Sequence, residues 1–210
     1  WMLEWYRAFA DLTLIMQDTR ELVEHVAGKS LTFEVKSMRQ LFKEKLNFDL
    51  KPDSSLADIK ALGLKLGLMV QDFDLWDDVF YFIFVEKIEK NLGSVNPLFV
   101  TDYPPSQAAL ARLTPDGWGD RFELYWQGLE IANAFHELND PEVQSQRFQE
   151  DLNKKKDLGK QVPPLDPEFT QALLSGLPPS GGIALGLERL FMAQNRVQTI
   201  EKTRAFPLKN

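Results

Sequence analysis

The stretch RFELYWQGLEIANAFHELND, residues 121–140, limits how this chain can fold more than any other. Residues 121–126 and 129–138 are rich in aromatic and branched side chains, which favour β-strands. Gln127 and Gly128 between them have the composition of a two-residue turn. The stretch therefore predicts a β-hairpin, against which the remaining elements have to pack.

Four residues of this hairpin are expected to share one face. Because side chains alternate across a strand and the turn sets the register, Tyr125 lies opposite Glu130, and Glu123 lies opposite Ala132. Glu123 and Glu130 are then diagonal neighbours, roughly 7–8 Å apart at Cα, where two like charges repel. Mg²⁺ carrying nucleotide phosphates would relieve that repulsion. Spacing alone leaves open the alternative that both carboxylates lie on a solvated strand face.

The second strand of the hairpin carries Asn133, Phe135 and Glu137 at alternate positions. In an unbroken strand these three face away from Glu130, because each stands an odd number of positions after it. A β-bulge between Glu130 and Asn133 would turn both sets of side chains to the same side. We predict this bulge and, with it, a single shared site.

Composition excludes several kinds of protein and of site. The 210 residues are 44% hydrophobic and 26% charged, as in soluble globular proteins, and no apolar run is long enough to span a membrane. With no cysteine and only two histidines, disulfides, thiolate zinc sites and His-rich metal sites are excluded. A net charge of −7 argues against non-specific nucleic-acid binding. The lack of cysteine fits a cytoplasmic protein.

Capping and turn residues predict helices on both sides of the hairpin. Most of the predicted helices follow an Asp or Ser that can cap them, and several end near a glycine. The predicted helices are residues 12–27, 38–46, 56–66, 74–91, 141–158 and 167–174, with a last helix beginning at 186. The other predicted strands are residues 1–6, 98–103, 183–185 and 204–208, and residues 106–113 form a short amphipathic segment. This mixture indicates an α+β fold.

Three segments resemble a known family. GLEIANAFHELND (128–140) carries the match, supported by FVTDYPPSQAALA (99–111) and GIALGLERL (182–190). The chain resembles the catalytic core of class II aminoacyl-tRNA synthetases of the lysyl type. Within that group it is most similar to the elongation factor P–β-lysine ligases, stand-alone paralogues of lysyl-tRNA synthetase. The resemblance is weakest between residues 28 and 96. It implies one partial catalytic domain over 1–210, an antiparallel sheet flanked by helices, with a helical insertion at roughly 30–95.

The resemblance also implies that ATP and Mg²⁺ are ligands. By this match, Glu123 and Glu130 bind the Mg²⁺ of ATP. The nucleotide itself is contacted by Glu130, Ile131, Gly186 and Arg189. A planar guanidinium such as that of Arg189 can stack on adenine and also contact phosphate oxygens.

An amino-acid pocket follows from the same match. It would be formed by six residues: Glu4, Tyr6, Asn133, Phe135, Glu137 and Ala184. Lysyl-tRNA synthetases usually carry glycine at the position of Ala184, whereas the ligase branch carries alanine. The extra methyl group would reshape the pocket.

The implied function is ATP-dependent activation of a lysine-like amino acid to its adenylate, followed by transfer to a lysine of elongation factor P. Ala184 and the sequence of residues 99–111 favour this ligase over a lysyl-tRNA synthetase core, whose acceptor is tRNA-Lys. A non-catalytic nucleotide-binding module is a further alternative. A strand at the first residue suggests a cut chain, and the absence of the upstream motifs leaves open whether this segment is active by itself. The parent protein is expected to be a homodimer.

Overall fold

The computed structural model describes residues 1–108 and 110–206, which form one six-stranded sheet and seven α-helices. The strands are β1 Met2–Ala8, β2 Glu34–Ser37, β3 Leu98–Tyr103, β4 Gly119–Trp126, β5 Leu129–His136 and β6 Ser180–Gly186. The helices are α1 Leu12–Ala27, α2 Met38–Leu46, α3 Leu56–Lys65, α4 Trp76–Lys87, α5 Pro141–Asp157, α6 Pro167–Leu174 and α7 Leu187–Asn195. The strand order is β1-β6-β5-β4-β3-β2, antiparallel except for the parallel pair β2–β3. The predicted α+β class is confirmed.

Local capping explains why the helix bounds agree closely with those expected from sequence. Asp11 accepts hydrogen bonds from the first turn of α1, and Gly28 ends that helix with a left-handed φ of 65°. Ser37 forms a capping box at the start of α2. Asp140 and Asp166 cap α5 and α6, each of which begins with a proline. These signals act within a few residues, so the sequence displays them directly.

Expectations that depended on distant partners were less accurate. The region from 30 to 95 is not purely helical, because β2 lies inside it and pairs in parallel with β3, starting from Glu34 opposite Leu98. The helix expected over residues 74–91 is shorter: it runs over Trp76–Lys87 and is followed by a separate 3₁₀ turn, Glu89–Asn91. A four-residue edge strand is too short to show a period-two pattern, which is why the sequence did not reveal it.

Two further segments differ from the predictions. Residues 106–113 hold only the end of a 3₁₀ turn, Pro105–Gln107, followed by isolated bridges from Ala111 to Glu137 and from Leu113 to Gly119; Ala109 lies outside the described residues. The strand predicted at 204–208 is absent over residues 204–206, and its last two residues also lie outside the described part.

Two hydrophobic clusters lie on opposite faces of the sheet, since neighbouring residues of one strand divide between them. Phe122 and Leu124 pack into one cluster, under α1 and α7, whereas Tyr125 packs into the other with α2, α3 and α4. In that second cluster the rings of Phe42 and Phe80 stack with centroids 5.4 Å apart. Because its helices come from residues 38–87 and pack beside β3 and β4, the same face stays open over β1, β6 and β5.

Candidate active site

The strand register brings residues from four strands into one row on the open face. Glu4 pairs with Ala184, Ala184 pairs with Asn133, and Asn133 pairs with Glu123. Paired residues of neighbouring strands point to the same side of a sheet. The four residues predicted from separate parts of the sequence therefore form a continuous row.

A second row runs parallel to the first, two residues further along each strand. It consists of Tyr6, Gly182, Phe135 and Arg121. Two residues along a strand correspond to about 7 Å. Five of the six residues predicted for the amino-acid pocket thus occupy two adjacent rows of one surface, and the sixth, Glu137, lies just beyond the end of β5.

The predicted bulge is confirmed, and its extra residue is Ile131. Tyr125 pairs with Glu130 as expected, but Leu124 already pairs with Ala132, so no β4 residue lies opposite Ile131. The bulge shifts the ladder by one residue, and the expectation that Glu123 faces Ala132 is therefore wrong. Glu123 instead faces Asn133, and Glu130 joins the same face.

Glu123 is held by two hydrogen bonds at the centre of the site. Arg121 Nη2 donates to Glu123 Oε1 at 2.5 Å and to Asn133 Oδ1 at 2.9 Å. The hydroxyl of Tyr125 donates to Glu123 Oε2 at 2.6 Å. Burial, followed by the charge of Glu123, raises the pKa of Tyr125 far above its usual value, so this hydroxyl keeps the proton that it donates.

Arg121 was not singled out from the sequence, although its side chain organises this part of the site. The side chain is 5% exposed, and that of Glu123 is 12% exposed. The Arg121 guanidinium lies 4.2 Å from the ring centroid of Tyr103 and 5.1 Å from that of Phe135. The sequence feature that could have identified Arg121 is its position two residues before Glu123, which puts both side chains on one face of β4.

Glu130 lies at the opposite end of this polar group, against α7. Arg189 Nη1 donates to Glu130 Oε2 at 3.0 Å and to the Glu130 carbonyl oxygen at 2.9 Å. Burial and the charge of Glu123 raise the pKa of the Glu130 carboxyl. A cation placed between the two carboxylates would favour the ionised form of Glu130.

The residues present fit a nucleotide-bound Mg²⁺ better than a metal held by protein alone. Across the described residues, no three His, Cys, Asp or Glu side chains form a group that could hold a metal ion. Two carboxylates are sufficient when phosphate oxygens and water complete the coordination shell. A neighbouring cleft of about 410 Å³ is lined by Glu130, Ile131, Asn133, Gly186 and Arg189, which include all four predicted ATP contacts. The side chain of Ile131 itself belongs to the core cluster beneath the sheet.

Glu137 and Tyr6 meet at the far end of the site, over a glycine. A Cβ on Gly182 would come within 2.2 Å of Glu137 Oε1 and 2.5 Å of the Tyr6 ring. Burial raises the pKa of Glu137 to about 7, while burial and the charges of Glu137 and Glu4 raise the pKa of Tyr6. Both residues line a second cavity, of about 500 Å³, between β5, α5 and α6. We call this the α5–α6 cavity.

Comparison with known proteins places the chain in a family. The family model described as tRNA synthetases class II (D, K and N) matches residues 1–210. The chain belongs to this family.

Several curated relatives of this class II synthetase chain carry the name elongation factor P–(R)-β-lysine ligase. The protein of Vibrio vulnificus strain YJ016 is 37% identical over 210 residues, and that of Vibrio parahaemolyticus is 36% identical over 214 residues. The Hamiltonella defensa protein is 33% identical over 211 residues. The matches cover 98–99% of this chain and 64–65% of the relatives. The chain therefore spans about 64% of the length of the curated relatives that it matches.

No helix within the described residues of this class II synthetase chain is long and apolar enough to cross a membrane. Apart from Ile131, whose side chain belongs to the core cluster beneath the sheet, the chain's predicted site residues lie on one face of the sheet or at its margin next to α7. Gly182 and Arg121 join them as residues that sequence reasoning had not assigned to the site.

A methyl group added at Gly182 should weaken amino-acid binding in the predicted pocket strongly and should reduce the stability of the fold only slightly. In Gly182→Ala the new Cβ displaces the Glu137 carboxylate and the Tyr6 ring, which can rotate away at low cost. We expect the KM for the amino acid to rise by about tenfold or more, with a small change in melting temperature. Steady-state kinetics and thermal unfolding of the whole protein measure both effects. An unchanged KM with a large loss of stability would contradict this reading.

Proposed function

We propose that this chain is the catalytic core of an ATP-dependent ligase that activates a lysine-like amino acid as its adenylate and transfers it to a lysine of elongation factor P. The observation that carries the proposal is the arrangement on one sheet face. A carboxylate pair with an arginine lies at one end, and the half-buried carboxylate of Glu137 lies at the other. The first end suits a metal-bound nucleotide, and the second suits a cation on an alkyl chain.

The dimensions of this face match such a pair of ligands. Gly186, at the nucleotide end, is four residues from Gly182 at the cation end, which corresponds to about 13 Å along a strand. Asn133 and Glu4 lie between the two ends, in the row of Ala184. An extended amino acid with a terminal amine therefore places its carboxyl group near Asn133 and its ammonium group beside Glu137.

In the proposed first step, the carboxylate oxygen of the amino acid attacks the α-phosphorus of ATP, and pyrophosphate leaves. In the second step, the lysine amine of the acceptor attacks the acyl carbon, loses a proton and releases AMP. Mg²⁺ held by Glu123 and Glu130 would neutralise phosphate charge. Arg189 would contact the nucleotide, and Asn133 and Glu4 would orient the amino acid. Catalysis of this kind depends mainly on position and charge stabilisation.

The identity of the acceptor follows from the names of the relatives, and a specific experiment tests it. ATP–pyrophosphate exchange on the whole protein, with α-lysine and β-lysine compared, should show a preference for β-lysine. Labelled amino acid should then appear on elongation factor P. A preference for α-lysine with labelled tRNA would instead indicate a lysyl-tRNA synthetase. Absence of exchange with either amino acid would indicate a non-catalytic module.

The raised pKa of Glu137 predicts that amino-acid affinity depends on pH. Only the ionised carboxylate attracts an ammonium group, and this carboxyl has a pKa of about 7. We therefore expect the affinity for a lysine-like amino acid to rise by about tenfold between pH 6 and pH 8. Binding below pH 7 should release a proton, because the ligand lowers the carboxyl pKa. Calorimetry in buffers of different ionisation enthalpy measures both quantities, and an affinity that is constant over this range would refute the assignment.

A further inference from the structure

Tyr125 is a buried residue whose hydroxyl group lies close to two carboxylates. The residue is 1% exposed, and its hydroxyl oxygen lies 2.6 Å from Glu123 Oε2 and 3.2 Å from Glu89 Oε1. The distance to Glu123 is typical of an O–H···O hydrogen bond, whereas the distance to Glu89 is longer than usual. A hydroxyl group has a single proton, so Tyr125 donates it mainly to Glu123.

The structure around Tyr125 fixes the position of this hydroxyl group. Its ring packs edge-to-face against the ring of Phe84 on α4, with centroids 6.5 Å apart. The hairpin turn that follows β4 is bound to the segment after the 3₁₀ turn, since the backbone N–H of Gln127 donates to the Gly93 carbonyl at 2.8 Å. Because the ring is closely packed and the backbone is held, the hydroxyl group has little freedom to move away from Glu123.

The two oxygens of Glu123 have different hydrogen-bond donors. Arg121 donates to Oε1, and Tyr125 donates to Oε2. A carboxylate offers about four lone-pair sites, so two such bonds leave sites available for a metal ion. The side chain of Glu123 is 12% exposed, so part of it is accessible to a ligand on the open face of the sheet. The positive guanidinium repels a bound cation, whereas the neutral hydroxyl does not.

We propose that Tyr125 is a positioning residue that holds the Glu123 carboxylate in place for the Mg²⁺ of ATP. This inference rests on the proposed function and extends it to a buried residue that need not touch the nucleotide. A freely rotating carboxylate would lose side-chain entropy whenever it bound the ion, and the bond from Tyr125 removes that loss beforehand. The hydroxyl achieves this without adding a charge, so it does not oppose the binding of the cation.

The test compares two variants of Tyr125 in the whole protein. Tyr125→Phe removes only the hydroxyl group and keeps the ring against Phe84. The second variant has 4-aminophenylalanine at position 125, which is nearly the size of tyrosine and retains a hydrogen-bond donor. Thr19→Val is the matched control, because it also removes a buried hydroxyl group. That hydroxyl donates to the Ile15 carbonyl at 2.6 Å within α1, across the sheet from the site.

Two binding measurements report on the metal without depending on turnover. Calorimetry would give the affinity for ATP at a series of free Mg²⁺ concentrations, and electron paramagnetic resonance would count the Mn²⁺ bound together with ATP. Mn²⁺ prefers oxygen ligands as Mg²⁺ does. In Tyr125→Phe, we expect the Mg²⁺ concentration that gives half of the gain in ATP affinity to rise about tenfold, because hydrogen bonds to charged groups are strong. Saturating Mg²⁺ should restore the ATP affinity to the wild-type value.

The remaining variants separate positioning from folding. The 4-aminophenylalanine variant should need a Mg²⁺ concentration within about threefold of the wild-type value, because a donor to Glu123 is again present. Thr19→Val should lower the melting temperature and leave the Mg²⁺ dependence unchanged. In a Glu123→Gln background, Tyr125→Phe should have no further effect on metal binding, because Tyr125 acts through Glu123.

Three results would overturn the inference while the proposed function stands. They are a wild-type Mg²⁺ dependence in Tyr125→Phe, a loss of ATP affinity that saturating Mg²⁺ does not restore, and a tenfold shift that persists with 4-aminophenylalanine. The third result decides the question even if Tyr125→Phe does not fold. If Mg²⁺ does not increase the ATP affinity of the wild-type protein, the proposed role of Glu123 and Glu130 fails together with the inference.

Discussion

Replacing Glu137 with glutamine should weaken the binding of a lysine-like amino acid by about a hundredfold and leave ATP binding almost unchanged. The carboxylate is the charged group of the α5–α6 cavity, and the substitution keeps its shape while removing its charge. A charge-assisted hydrogen bond to an ammonium group is roughly twice as strong as a neutral one. The raised pKa of Glu137, about 7, reflects burial, and a buried carboxylate gains more from a cation than an exposed one does.

Titration calorimetry on the whole protein would measure the affinities for ATP and for the amino acid separately. Glu142→Gln is a suitable control, because this residue lies on the exposed surface of α5, a few residues from Glu137 in sequence. The control should bind both ligands as the wild type does. Equal losses for ATP and for the amino acid in Glu137→Gln would contradict the assigned role.

The second large effect is expected from Arg121→Met. This change leaves the buried carboxylate of Glu123 without its cation, and breaking a buried ion pair by removing one partner typically costs about 3–5 kcal/mol. It also removes the guanidinium from between the rings of Tyr103 and Phe135. We expect a large fall in the free energy of unfolding, measured by urea denaturation, together with loss of ATP–pyrophosphate exchange.

A double variant separates the charge from the packing. In Arg121→Met/Glu123→Gln the unpaired charge is gone, so much of the lost stability should return while exchange activity remains absent. Arg39→Met is the matched control, since Arg39 pairs with Asp49 on the surface with both side chains about half exposed. Its effect on stability should be far smaller. If Arg121→Met were as stable as the control, the pair with Glu123 would have no structural role.

The hairpin shows which features of the site could be predicted from neighbouring residues alone. The turn at Gln127 and Gly128 was predicted from two residues, and both adopt the positive φ that a tight hairpin turn requires. The bulge was predicted because Glu130 and Asn133 had to share a face, and the ladder confirms it. The partner of Glu123 was wrong by one residue, because that pairing was counted from the turn without the extra residue that the bulge inserts.

Other features of the site had no local signal. In the sequence Arg121 looks like an ordinary polar strand residue. Its role depends on β3 and β5, which place Tyr103 and Phe135 around it. In the sequence Gly182 looks like one small residue of a glycine-rich segment. Its role depends on Tyr6 and Glu137, whose side chains lie directly over it. The role of each depends on residues from distant parts of the chain.

The sequence by itself determined the α+β class, most of the helix bounds, the central hairpin and the residues that resemble those of class II synthetases. These features depend on capping, turn chemistry and side-chain alternation, which act over a few neighbouring residues. Tertiary structure alone decided the parallel pairing of β2, the two rows of side chains, the ion pair of Arg121 and the α5–α6 cavity. Each of these requires segments distant in sequence to pack together, and packing depends on shapes and registers that no single segment specifies.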